Sequence, residues 1–201
     1  MARRNVDVRR EEILGATVVE VQKRGLAHTR VADVAQALSI SPALVFYHFE
    51  TKDRLLAEAF AYAAARDLVR LDAVVKAPGT AVSRLRSVLK LYSPAGSTPP
   101  GWTLWVDAWA AAMRSPELRR VSRKLDLRWK EAVAELIADG VREGDFCCED
   151  PHGAAWRITA LIDGLAVQVT VHRGVLTRTQ MTDWVTGLAE RELGLAAGSL
   201  R

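Results

Sequence analysis

Residues 29–49 constrain this chain more than any other stretch. Val31, Val34, Ala35 and Leu38 fall at i, i+3, i+4 and i+7, one face of a short helix, with Thr29 where an N-cap belongs. The pattern stops after Leu38. Ser41 and Pro42 then restart a helix, serine as N-cap and proline at the first helical position, where its missing N–H costs nothing. Val45 and Phe49 point one way; Pro42, Ala43, Leu44, Tyr47 and His48 are left on the other side. Two short helices joined by a tight turn, the second exposing small, hydroxyl and imidazole groups, form a shape that a DNA major groove accepts.

The spacing resembles the TetR family of bacterial transcriptional repressors over roughly residues 9–60. The residues that carry the likeness are Thr29 with Val31, Val34 and Ala35; Ile40 and Ser41 with Val45, Phe46 and Phe49; and Lys52 with Leu55. The resemblance implies an all-α fold of nine helices. A helix-turn-helix DNA-binding domain would occupy 1–50, and a helical effector-binding and dimerisation domain 51–201. It further implies a homodimer on a palindromic double-stranded DNA operator, released by a small-molecule effector. In that family the positions of Tyr47 and His48 usually touch the DNA backbone, and those of Pro42, Ala43 and Leu44 lie nearest base edges.

None of Pro42, Ala43 and Leu44 can donate a side-chain hydrogen bond, so base reading there leans on thymine methyls, backbone groups and shape. Arg30 is the candidate bidentate reader of guanine. Thr29, Ser41 and Lys52 are placed to meet phosphates. Caps and ordinary surface residues are the plainer alternatives for these positions.

The net charge is +4, yet residues 1–60 hold nine Lys and Arg against eight Asp and Glu. The asymmetry is local: Arg3, Arg4, Arg9 and Arg10 stand against Asp7 in the first ten residues. Such an arm either reaches phosphates and a minor groove or is a solvated tail. No apolar leader or 18-residue apolar run is evident. The longest candidate, 158–171, is interrupted by Asp163 and Gln168. The expected location is cytoplasmic, with no membrane partner. Cys147 and Cys148 are adjacent and lack metal-site spacing, so they are incidental thiols or a thiol sensor; no metal or cofactor is expected.

Helical periodicity continues to the C-terminus. Helices are predicted over 8–24 (ending at Gly25), 51–75 capped by Thr51, 81–92, 102–114, 117–142, 152–172 and 180–193 capped by Thr179, with a loop over 93–101. The helix over 152–172 is apolar nearly all round, which calls for cover on more than one face. A second copy supplies it economically, with Ile158, Leu161, Leu165, Trp184 and Leu188 as interface candidates. Two recognition helices would then meet half-sites roughly 34–36 Å apart.

Trp102, Trp105 and Trp109 lie at i, i+3 and i+7, with Met113 near the same stripe. They are core packing or a pocket wall, which Phe60, Tyr62 and Tyr92 would join. Asp163, alone in its apolar helix, requires a partner or a shifted pKa. It is a structural ion pair, or it holds a cationic effector together with the tryptophans. The segment Leu161 to Leu165 looks like one common in the betaine/choline-regulator branch of the family. A neutral aromatic or hydrophobic effector is the alternative. Asp107 points away from the tryptophan stripe.

No Gly-rich phosphate loop, activated nucleophile or His-x-x-x-His pair is present, and His28, His48, His152 and His172 are scattered, so an enzyme is not expected and no catalytic residue is named. The competing classes are an effector-independent dimeric DNA-binding regulator and an activator.

Overall fold

The computed structural model describes residues 2–94, 100–172 and 174–201, side chains excepted at 2–7 and 100. Among the described residues there are nine helices and no strand. They are α1 (Ala2–Arg24), α2 (Val31–Ala37), α3 (Pro42–Phe49), α4 (Lys52–Val75), α5 (Ala81–Tyr92), α6 (Pro100–Ala112), α7 (Pro116–Glu143), α8 (Pro151–Val171) and α9 (Arg178–Glu192). They fall into two compact units. One comprises Met1–Arg66 with Thr103–Leu125, the other Asp67–Trp102 with Asp126–Arg201.

The first unit is built on a small core. Ile13 and Leu14 of α1, Val31, Val34 and Ala35 of α2, Val45 and Phe49 of α3, and Leu55 and Ala59 of α4 pack together. Of these, Val31, Val34, Ala35, Val45 and Phe49 are the residues whose spacing marked them as inward-facing. Between α2 and α3 the chain turns through Ser39 at φ +54°, and the Ile40 N–H donates to the Ala35 carbonyl at 3.0 Å. A non-glycine residue in this left-handed region costs roughly 1–2 kcal/mol, which the surrounding core offsets. Ser41 caps α3 as expected, its Oγ accepting from the Leu44 N–H at 3.2 Å.

Four details differ from the sequence expectation. Thr29 does not cap α2; Arg30 takes that position, and the Asp33 carboxylate accepts from the Arg30 N–H at 3.0 Å. Gly25, at φ +81°, ends α1 and folds the chain back, so Thr29 is buried and its hydroxyl donates to the Gly25 carbonyl at 2.8 Å.

At the N-terminus α1 begins at Ala2, so residues 2–10 are helix and not an arm. Arg9 pairs with Glu12 at 2.8 Å. Arg10 pairs with Glu58 and covers the Phe49 ring at 4.7 Å from its centre. The side chains of Arg3 and Arg4 lie outside the described ones.

The third difference is at α6, which starts at Pro100 and stops at Ala112, two residues early at each end. The Arg119 guanidinium accounts for the stop, donating to the carbonyls of Ala112 and Met113 at 3.0 Å each. Residues 95–99 of the expected loop lie outside the described ones. Finally, Thr177, not Thr179, caps α9. Its Oγ accepts from the Gln180 N–H at 3.2 Å while Gln180 Oε1 accepts from the Thr177 N–H at 3.0 Å.

In the second unit α8 packs along α9. Ala154, Ala155, Ile158, Thr159, Ile162 and Ala166 form its buried side. Starting at Pro151, α8 is longer than the apolar stretch read from sequence, and by length and composition alone it would be able to cross a membrane. A third of that stretch is buried, and Asp163 within it is ion-paired with Lys130.

Candidate DNA-reading and effector sites

The outer side of α3 is open. Ser41, Pro42, Ala43 and Tyr47 are exposed, Tyr47 at 74 %, while Leu44 and His48 are half-buried. The Tyr47 and His48 rings meet edge to face at 5.4 Å. Arg30 is exposed at the start of α2, and Lys52 is half-buried in the first turn of α4. These groups therefore share the first unit, with Thr29 withdrawn beneath them. Phe46 was not assigned to the open side, yet it is exposed; its i, i+4 relation to Pro42 carried that signal.

An ion-pair ladder joins the C-terminal end of α3 to α4 and α1. Glu58 accepts from Arg10 and, at 3.2 Å, from Arg54 Nε, and Arg54 reaches Glu50 at 2.7 Å. The pairs are partly exposed, so each adds little stability.

The residues expected at the effector site divide between the two units. In the first, Phe60 is buried and meets Trp105 edge to face at 4.9 Å, and Trp105 lies 5.9 Å from Trp109. Met113 is 67 % exposed, because α6 has already ended, and does not continue the stripe. Asp107 accepts from the Leu26 N–H at 2.5 Å, consistent with its pointing away from the tryptophans. Tyr62 packs beside the helix-turn-helix core instead.

In the second unit, Trp102 Nε1 donates to the Tyr92 carbonyl at 2.9 Å. The Tyr92 ring meets Trp129 edge to face at 4.7 Å and is 6.0 Å from Trp102. Its hydroxyl donates to Asp163 Oδ1 at 2.9 Å. The other carboxylate oxygen of Asp163 faces Lys130 Nζ at 3.6 Å. Lys130 is buried; it donates to Asp126 at 2.5 Å and lies over the Trp156 ring at 4.9 Å from its centre.

Burial pushes the Asp163 carboxyl above the usual aspartate value, with the Lys130 charge and the Tyr92 hydrogen bond pulling the other way. Burial, then the Asp163 charge, pushes the Tyr92 phenol well above its ordinary value, so it remains a donor. Asp163 thus has the structural ion pair that was one of its two readings. Lys130, Trp129 and Asp126 were missed. Asp126 and Lys130 are legible as an i, i+4 pair, but nothing local joins them to residue 163.

Of the dimer candidates, Ile158 is wholly buried within its own chain, on the side of α8 facing its unit, and so offers nothing to a partner. Leu161, Leu165 and Leu188 are half-buried, and Trp184 is 52 % exposed. Trp156 and Val171 of α8 are also exposed, at 40 % and 50 %. Arg157 clamps Glu192 through two hydrogen bonds, 2.8 and 2.7 Å, holding α8 to α9. Cys147 is exposed, Cys148 half-buried, and both are free thiols. Among the described residues no cluster of His, Cys, Asp and Glu has the makings of a metal site.

Comparisons with known proteins fall on the same two regions. Residues 13–59 match the model for bacterial regulatory proteins of the tetR family, and residues 81–194 match the model for the C-terminal domain of BetI-type transcriptional repressors. The HTH-type transcriptional regulator BetI of Paraburkholderia xenovorans is 33 % identical over 166 residues, covering 79 % of this chain and 80 % of the relative. A transcriptional regulator from Saccharomonospora viridis, solved in complex with choline, superposes with a TM-score of 0.82 at 27 % identity, covering 93 % of this chain and 98 % of that one. A TetR transcription regulator from Haloarcula marismortui shares the fold, with a TM-score of 0.81 at 21 % identity over 93 % of this chain and 99 % of that one.

Proposed function

The chain belongs to the TetR family of DNA-binding transcriptional regulators, with a C-terminal domain of the BetI type, and on that premise we propose that it is a homodimeric repressor released from a palindromic operator by a small cationic effector of the quaternary ammonium class. Members of this family regulate transcription and are not enzymes. The division of labour we propose assigns DNA reading to 1–50 and effector binding with dimerisation to 51–201, in a cytoplasmic protein. Arg30, Ser41, Pro42, Ala43, Leu44, Tyr47, His48 and Lys52 form the DNA face, and Thr29 supports it from beneath.

The observation that carries the effector class is the carboxylate of Asp163 hydrogen-bonded to Tyr92, whose ring adjoins Trp102 and Trp129. A permanently charged ammonium has no N–H to donate. It is recognised by a carboxylate at near contact and by aromatic faces. The choline bound by the Saccharomonospora regulator belongs to this class. The apolar trio Phe60, Trp105 and Trp109 favours the second reading, a neutral aromatic or hydrophobic effector. For either ligand, release requires only that the effector bind one of two conformations better than the other.

The test starts with selection from a randomised DNA pool at stated salt, which yields the operator as an enriched palindrome. Release of that operator is then titrated with choline, with glycine betaine and with the neutral carbon isostere of choline, 3,3-dimethyl-1-butanol. Release by choline and not by the isostere supports the cationic class; equal release by both moves the assignment to the apolar trio. Failure to enrich a palindrome overturns the operator reading.

A further inference from the structure

Lys130 is an unusual guest in the effector half of the chain. Its side chain is 6 % exposed, its ammonium is held by Asp126 at 2.5 Å, faces Asp163 at 3.6 Å and covers the Trp156 ring at 4.9 Å. Two carboxylates and an indole around one cation are the groups that a small ammonium ligand would need. The two contacts are unequal. The Asp126 contact is a short hydrogen bond within one helix, whereas Asp163 stands beyond hydrogen-bond reach and has its hydrogen bond from Tyr92. The hold on Asp163 is thus the looser of the two.

We propose that Lys130 is a tethered ammonium occupying the charge site of Asp163, and that an effector's cation binds by taking Asp163 over from it while Asp126 keeps the lysine. This rests on the cationic-effector reading above. Lys130 thereby sets both the strength and the selectivity of the response. A ligand without a full positive charge gains nothing at Asp163 in exchange for the lysine it displaces. One with a charge binds more weakly than the bare site would allow, by the factor by which the lysine already occupies it.

The two partners of Lys130 make the idea separable from a merely structural role. Lys130→Met removes the competitor and leaves Asp163 open. Asp126→Asn removes the tether that draws the lysine aside and leaves it to bear fully on Asp163. Choline binding to the full-length protein is measured by calorimetry for wild type and both variants, with 3,3-dimethyl-1-butanol as the uncharged control and circular dichroism confirming the fold. The expected result is opposite signs: choline binds about tenfold more tightly to Lys130→Met and several-fold more weakly to Asp126→Asn, with the control unmoved.

Asp126 is partly exposed, so its variant keeps the test alive should Lys130→Met fail to fold. In that event unchanged or tighter choline binding by Asp126→Asn overturns the proposal. Wild-type binding that weakens or stays the same in Lys130→Met overturns it too and leaves the effector reading intact. Absence of choline binding by wild type and both variants overturns the effector reading and this inference with it. Binding only by Lys130→Met supports both.

Discussion

The exposed side of α3 and the exposed sides of α8 and α9 are opposites in both what they show and how they are held. α3 is fastened by two buried side chains, Val45 and Phe49, and presents a serine hydroxyl, small residues, the phenol of Tyr47 and, among large apolar groups, the single ring of Phe46. α8 is fastened by six buried residues and, with α9, leaves Trp156, Val171 and Trp184 facing outward. A surface for hydrated phosphates needs polar tips on a thin, accurately placed support. Large apolar groups on a well-anchored helix gain by being covered. The contrast supports DNA at one surface and a second copy of the chain at the other.

The largest effect is expected from removing the thin support of α3. Phe49→Ala deletes a fully buried ring that touches the guanidinium of Arg10 and the core of the first unit. A truncation of this kind costs about 3–5 kcal/mol. The expected outcome is loss of operator binding, with an early unfolding step seen by calorimetry while the helices of the second unit persist. A single late transition with operator affinity intact would show that α3 is held by something other than this core.

The surface of α8 and α9 is broken by charge. Trp184→Glu leaves the fold intact, because the ring is half in solvent, yet places a carboxylate where the proposed partner would pack. An aromatic anchor of this kind is worth about 2 kcal/mol or more to an interface. Sedimentation should show monomers at concentrations where wild type is a dimer, and operator affinity should fall with it. Ile158→Val, buried inside its own chain, should leave the dimer unchanged. An undisturbed dimer in Trp184→Glu would move the interface elsewhere.

These two regions also differ in how far the sequence exposes them. The helix-turn-helix could be read because its determinants are local: Val31, Val34, Ala35, Val45 and Phe49 announce one face by spacing alone, and Ser41 with Pro42 announces the restart. Thr29 misled because a threonine ahead of a helix looks the same whether it caps or, behind Gly25, turns inward. Ile158 misled because a helix apolar on all sides does not say which side its own unit covers. At the proposed effector site, Asp163 could be recognised as needing a partner, but Lys130 lies 33 positions away on another helix. Such a pairing is set by how α7 and α8 pack, which no periodicity encodes.

Protonation probes the effector surface more gently. The Asp163 carboxyl is raised by burial, with Asp126 adding to the rise and Lys130 and Tyr92 opposing it. A raised folded-state value means that the neutral form is favoured in the fold. The cost of holding the carboxylate is therefore felt above that value and relieved as pH falls through it. Attraction for a permanently charged ligand follows the ionised form. Choline affinity should accordingly begin to fall at a higher pH than an ordinary aspartate would dictate, by at most about tenfold per pH unit. Asp163→Asn should bind more weakly and show a flat profile over that range. A wild-type profile that is flat there would remove Asp163 from the site.

The smallest expected effect belongs to single phosphate contacts on the DNA side. If Lys52, in the first turn of α4, neutralises one phosphate in each half-site, Lys52→Gln should lower the slope of log affinity against log salt by about 0.9 for each of the dimer's two subunits. It should weaken all operator variants alike, because phosphate contacts position the protein without reading sequence. Arg30→Gln should behave differently. A bidentate guanine contact is worth about 1–3 kcal/mol of discrimination, so its loss should relax the selected palindrome at one position in each half-site. Measured together on the selected operator and on single-base variants, the two substitutions separate placement from reading. Should Lys52→Gln change the preferred sequence, or Arg30→Gln only the salt slope, the roles of the two cations would be exchanged while the surface that carries them stayed the same.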